Sequence, residues 1–91
     1  MCYVYILRSQ KLNKLYIGAT GDLLRRIKYH NQGLQKWSKR GIPWKLLFNI
    51  KLENKTAALK LEKKLKNFKN PNYVLELIKN GRIAQLARAL T

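Results

Sequence analysis

Tyr5 and Tyr16 lie in two short apolar runs that read as the arms of one hairpin, so their hydroxyls can leave the same sheet face. Arg26 and His30 are four residues apart in a stretch of helical period and share one helix face. Glu62 falls about 40° from Ala58 on a helical wheel, at the edge of an apolar stripe rather than opposite it. Two hydroxyls, a guanidinium, an imidazole and a carboxylate, if brought together, supply a base, a phosphate clamp, a proton relay and a metal ligand for phosphodiester hydrolysis. Each residue also has an ordinary reading. Tyrosines on strands pack, a histidine on a basic helix is half-buried and hydrogen-bonded, and Glu62 pairs with Lys66 one turn on.

The acids are few enough to be sorted one by one. Of the four in 91 residues, Asp22 suits a helix cap, Glu53 the end of a strand and Glu76 the outside of a short helix. Glu62 differs, because at the edge of the buried stripe its carboxylate can face a shallow cleft, and in a one-metal hydrolysis it would hold Mg²⁺ or Mn²⁺. One histidine cannot build a His-rich metal site, and one cysteine, Cys2, excludes an intrachain disulfide and a cysteine-based zinc site. Twenty Lys and Arg give a formal charge of +16, which makes nucleic acid the first partner to expect. No apolar run approaches the roughly 20 residues that span a bilayer, and the N-terminal "CYVYIL" lacks the flanks of a signal peptide. An intracellular, cytoplasmic protein, nucleoid-associated when bound to DNA, is the expectation.

The elements that must position these residues follow from pattern. "CYVYILRS" alternates Tyr3, Tyr5 and Leu7 against Val4 and Ile6, and "LYIG" is the return strand after a polar turn. Leu23, Ile27, His30 and Leu34 then recur at helical spacing, with Asp22 at the start and Gly33 at the end. Pro43 holds Ile42 extended before a third strand, "WKLLFNIKL". Ala58, Leu61, Leu65 and Phe68 stripe a lysine-rich helix, Pro71 interrupts it, and "PNYVLELIKNG" makes a short helix. The spacing predicts an α/β fold, a small three-stranded, mainly antiparallel sheet flanked by helices in the order β-β-α-β-α-α. The domain is expected over 1–79. Residues 80–91, "GRIAQLARALT" with the preceding helix end, differ in composition and are expected as a helical or disordered extension.

The pair "YVY" and "YIG", followed by "DLLRRI", "HN" and "ALKLEKKLK", resembles the GIY-YIG nuclease superfamily, especially its small bacterial members, over about Cys2 to Tyr73. "YVY" departs from the family name but keeps its final tyrosine, Tyr5, and His30 stands where some relatives carry tyrosine. Asn70 and Asn72 are candidates for an asparagine common after the glutamate helix. The resemblance implies metal-dependent DNA cleavage by a site of Tyr5, Tyr16, Arg26, His30 and Glu62, with Glu62 holding the metal. DNA contacts are expected from Arg25 and Lys28 on the first helix, from Lys36, Trp37, Lys39 and Arg40 in the connector, and from Lys66 and Lys69 after the glutamate. The competing reading is a basic nucleic-acid-binding module without cleavage, in which Trp37 and Trp44 stack on unpaired bases. The tail lies outside the resemblance and looks like the translation of a frame that has run on into a tRNA gene.

Overall fold

The computed structural model describes residues 2–33 and 39–90, the Leu90 side chain excepted. Strands β1 (Cys2–Ser9) and β2 (Leu15–Thr20) form the hairpin, helix α1 (Leu23–Asn31) follows, and β3 (Trp44–Leu52) completes the sheet. Three helices come after it: α2 (Lys55–Asn67), α3 (Pro71–Lys79) and α4 (Ile83–Leu90). The sheet order is β2-β1-β3 with both pairings antiparallel, so the expected α/β architecture is the observed one with a seventh element added.

The alternation of β1 divides the molecule into two layers of core. Val4, Ile6 and Ile17 face one side and pack with Ala58, Leu61 and Leu65 of α2 and Val74 and Leu77 of α3. Tyr5 and Leu7 face the other side and pack with Trp44, Tyr16 and the α1 residues Leu23 and Ile27. Helix α1 therefore covers one face of the sheet and the α2–α4 layer covers the opposite face. Phe68 is partly buried against the larger core from just beyond the end of α2. Residues 80–91, expected as an extension, carry α4, whose Ile83 and Ala87 are buried in that same core beside α2.

Local chemistry sets the helix ends. The Asp22 carboxylate accepts from the Arg25 backbone N–H at 3.2 Å and starts α1, and Gly33 just beyond its end adopts φ +72°, a left-handed turn that glycine enters without a Cβ penalty. Asn54 starts α2 by accepting from the Ala57 N–H at 2.8 Å. Asn70 starts α3 in the same way through Asn72 N–H at 3.0 Å, with Pro71 in the first turn, so Asn70 is spent on a cap. The connector is tied down by Ser9, whose buried hydroxyl donates to Gly41 O at 2.7 Å and accepts from the Leu12 N–H at 2.9 Å.

Candidate active site

The hairpin register sets the first half of the site. Gly18 is opposite Tyr5 and Tyr16 is opposite Leu7, so both tyrosines leave the α1 face of the sheet as the sequence pattern predicts. A Cβ on Gly18 would lie 2.5 Å from Tyr5 Oη and 2.7 Å from its Cζ. The glycine of "YIG" is thus the space in which the Tyr5 phenol rests, a role invisible in the motif as a string. Sequence reasoning missed this contact because it joins two strands.

Helix α1 brings the next two groups. His30 is 1% exposed, and its Nε2 lies 3.3 Å from Tyr5 Oη. Its ring meets Tyr16 edge-on at 4.5 Å, while the two tyrosine rings stand 5.9 Å apart. Asn31 locks this helix to β3 by donating to Trp44 O at 3.0 Å and accepting from the Trp44 N–H at 2.7 Å. This positioning residue also went unread, although an amide beside His30 offers both a donor and an acceptor to a strand end. Arg26 is exposed, yet its positive charge acts on both Tyr5 and His30.

The electrostatics of the buried pair are one-sided. Burial, helped by the neighbouring Tyr16 and a hydrogen bond to it, pushes the Tyr5 phenol well above the ordinary tyrosine range. Tyr5, at 1% exposure, therefore keeps its proton at neutral pH. Burial, and then the Arg26 cation, hold His30 below its usual 6.5, so the imidazole is neutral. In the tautomer that carries its proton on Nε2, His30 donates to Tyr5 Oη and leaves the Tyr5 proton for Tyr16. Tyr16 is only partly buried and is the phenol that solvent reaches.

The depressed His30 value has a stability consequence. Protons bind the unfolded chain more readily than the folded one between 6.5 and the lower folded value, so stability is full above that window and is lost as pH falls through it. Thermal melts should show the midpoint falling between pH 7 and pH 5. His30→Gln should remove part of that fall; a variant with the parent's full pH slope would mean that His30 does not contribute.

Glu62 arrives from the other layer. It belongs to α2, which packs across β1 and β2 on the face away from α1, so it does not share a sheet face with the tyrosines. A groove of ≈ 280 Å³ is lined by Tyr16 together with Lys66 and Lys69 from the α2 side, and the Glu62 charge acts on the Tyr5 phenol. Glu62 is 18% exposed and its Oε2 lies 3.4 Å from Lys66 Nζ, the ordinary i,i+4 pair that the sequence allowed. The sequence-predicted residues therefore divide between the two layers, with Tyr5, Tyr16 and His30 on the α1 face, Arg26 exposed on α1, and Glu62 on the helix that covers the opposite face.

The remaining basic residues divide similarly. Arg25 is exposed beside Arg26 in a second cleft on α1, and Lys28 is exposed further along that helix. Lys39 and Arg40 are exposed in the turn before β3, whereas Lys36 and Trp37 lie outside the described residues. Trp44 is buried against Leu7 and Tyr5, so it packs the sheet rather than offering a face for a base.

Residues 1–74 match the GIY-YIG catalytic domain. The chain belongs to the GIY-YIG family. A Clostridium perfringens protein named UPF0213 protein is 38% identical over 86 residues, covering 93% of this chain and 90% of that relative. A Lactococcus lactis subsp. cremoris protein of the same name is 34% identical over 84 residues, covering 91% of this chain and 85% of the relative. These relatives are small bacterial proteins, and their name states no activity. No solved structure matches the chain. Members of the GIY-YIG family are usually DNA endonucleases and generally need a divalent metal. Among the described residues no helix is long and apolar enough to cross a membrane.

Proposed function

We propose that this protein is a divalent-metal-dependent DNA endonuclease whose reacting groups are Tyr16, Arg26 and Glu62, supported from behind by Tyr5 and His30. The observation that carries the reading is the cluster of Tyr5, Tyr16 and His30, in which the Tyr5 hydroxyl lies 3.3 Å from His30 Nε2 and the Tyr16 ring stands edge-on to His30 at 4.5 Å. A purely structural tyrosine needs one hydrogen-bond partner when buried, whereas Tyr5 has both His30 and Tyr16 beside its hydroxyl.

The donor set fits a hard, water-rich cation. Glu62, 18% exposed on α2, offers one carboxylate, and Mg²⁺ or Mn²⁺ are commonly held by one or two carboxylates together with waters and substrate phosphate. The Lys66 ammonium 3.4 Å from Glu62 Oε2 is half-exposed and can turn aside to a phosphate when a metal takes the carboxylate. A bound Mg²⁺ or Mn²⁺ would supply neutralisation of phosphate charge and stabilisation of the departing 3′-oxygen.

The chain's own residues do the rest. Arg26, exposed at the rim of the α1 face, binds a nonbridging oxygen of the scissile phosphate, where added negative charge in the transition state strengthens the contact. Tyr16 Oη accepts the proton of the attacking water while its own proton leaves through the groove at the β2 edge. Tyr5 holds its proton toward Tyr16 and His30 anchors Tyr5, so both orient the reacting phenol without meeting solvent. Lys66 and Lys69 line the same groove and attract the strand that enters it.

Single-turnover cleavage of end-labelled single-stranded, duplex and branched DNA tests the reading. Cutting of at least one form with Mg²⁺ or Mn²⁺, abolished by EDTA, is expected. Cleavage that persists in EDTA would reject the metal, and binding of all three forms with no cleavage under either metal would put the non-catalytic binding module ahead.

A further inference from the structure

A second stripe runs along α1 beside the one that faces the core. Asp22, Arg25, Arg26 and Tyr29 recur at three and four residues, to one side of Leu23, Ile27 and His30. With Thr20 and Gly21 at the end of β2 they line a cleft of ≈ 440 Å³. Arg26 is common to this cleft and to the reactive cluster, because its charge also acts on Tyr5 and His30. An occupant of the cleft therefore lies beside the position at which Arg26 is read to hold a phosphate.

The lining selects the occupant. Arg25 and Arg26 are consecutive on the helix and so diverge by about 100°, which suits two successive phosphates rather than one. Tyr29 is partly exposed although it sits on a helix with a well-formed apolar face, so packing alone does not use its ring. The Arg26 guanidinium lies 5.8 Å from the Tyr29 ring centroid, near the outer limit of a cation–π contact, and can exchange the ring for a phosphate. The ring face then released is a platform for a base. Asp22 places a carboxylate in the same cleft, which repels a phosphate from that end and accepts from the amino or imino hydrogens of a base. An aromatic ring, two diverging cations and one acceptor match a nucleotide with its base inward and its phosphate outward.

Resting on the reading of Arg26 as the scissile-phosphate contact, we propose that this cleft binds one unpaired nucleotide flanking the cleaved bond in a single DNA strand, its base stacked on Tyr29 and its phosphate held by Arg25. A base in a duplex is stacked on both faces and paired along its edge, and it enters such a cleft only after leaving the helix. The subsite thereby gives a chain without a separate specificity domain a preference for single-stranded, flapped or frayed DNA.

The test is made in EDTA, so that it reads binding without cleavage. A single-stranded oligothymidylate carrying one 2-aminopurine, moved position by position, should show quenching when the fluorescent base reaches Tyr29. Tyr29→Leu should abolish that quenching and weaken single-strand affinity about tenfold, within the range of base–aromatic stacking, while duplex affinity changes less than about twofold. Tyr29→Phe should keep both signals. Arg25→Gln, on an exposed side chain whose loss does not threaten the fold, should lower the single-strand salt slope by about 0.7. A folded Tyr29→Leu that binds single strands like the parent, or loses single-strand and duplex affinity equally, overturns the subsite, as does an unchanged salt slope in Arg25→Gln. A parent that cuts no DNA yet shows Tyr29-dependent quenching retains the subsite and loses the nuclease reading; a parent that cuts single strands as fast when Tyr29 is leucine loses the subsite alone.

Discussion

Glu62→Gln should bind DNA in EDTA as the parent does and cut it about 100- to 1,000-fold more slowly with Mg²⁺, since metal stabilisation of the transition state is worth several kcal/mol and each tenfold in rate is about 1.4 kcal/mol. Glutamine keeps the shape and helix propensity of the residue while removing the charge a hard cation needs. The fold tolerates the change, because the pair with Lys66 is an i,i+4 contact of a kind worth about 0.3–0.5 kcal/mol. Release of Lys66 from its carboxylate should, if anything, raise DNA affinity slightly. Glu76→Gln is the control: its side chain is exposed on α3, and the variant should cut at the parental rate. Single-turnover rates with circular dichroism on each protein decide the matter. Parental cutting by a folded Glu62→Gln would remove Glu62 from the reaction.

What was legible in the sequence is what repeats within one element. The two-residue alternation of "CYVYIL" places Tyr5 and Leu7 on one face and Val4 and Ile6 on the other, and the structure buries them in two separate cores accordingly. The stripe of Ala58, Leu61 and Leu65 is buried as its period predicts, and Asp22 and Gly33 bound α1 as their chemistry predicts. What could not be read is how elements meet. Nothing in the pattern of α2 says which face of the sheet it covers, so the placement of Glu62 in the layer opposite the tyrosines, rather than on their face, emerges only from the packing. The same holds for Gly18 under the Tyr5 phenol and for Asn31 clasping Trp44, contacts across 13 residues in each case. Composition sets α4 apart, since its alanines and few lysines look foreign beside the lysine-rich helices, and only packing shows that its Ile83 and Ala87 are buried beside α2.

Tyr16→Phe should leave DNA affinity within about twofold and lower the single-turnover rate by about 10²- to 10⁴-fold, the range for a positioned proton-transfer group. The ring contacts that hold Tyr16, edge-on to His30 at 4.5 Å and against Trp44 at 6.4 Å, survive in phenylalanine, so only the hydroxyl is tested. Tyr5→Phe separates the two phenols. Tyr5 is sealed from solvent and its proton is held by burial, so it meets neither the attacking water nor the phosphate. Its removal should slow cutting less than the loss of Tyr16 does, because the reacting oxygen remains and only its orientation loosens. The loss of a buried hydrogen bond should also appear as a stability decrease of about 1 kcal/mol in Tyr5→Phe, measured by denaturant titration. A rate in Tyr16→Phe equal to the parent's would take Tyr16 out of the proton path. A deeper loss in Tyr5→Phe than in Tyr16→Phe would reverse the assignment and require the strand edge to open far enough to admit water to a phenol that the closed structure buries.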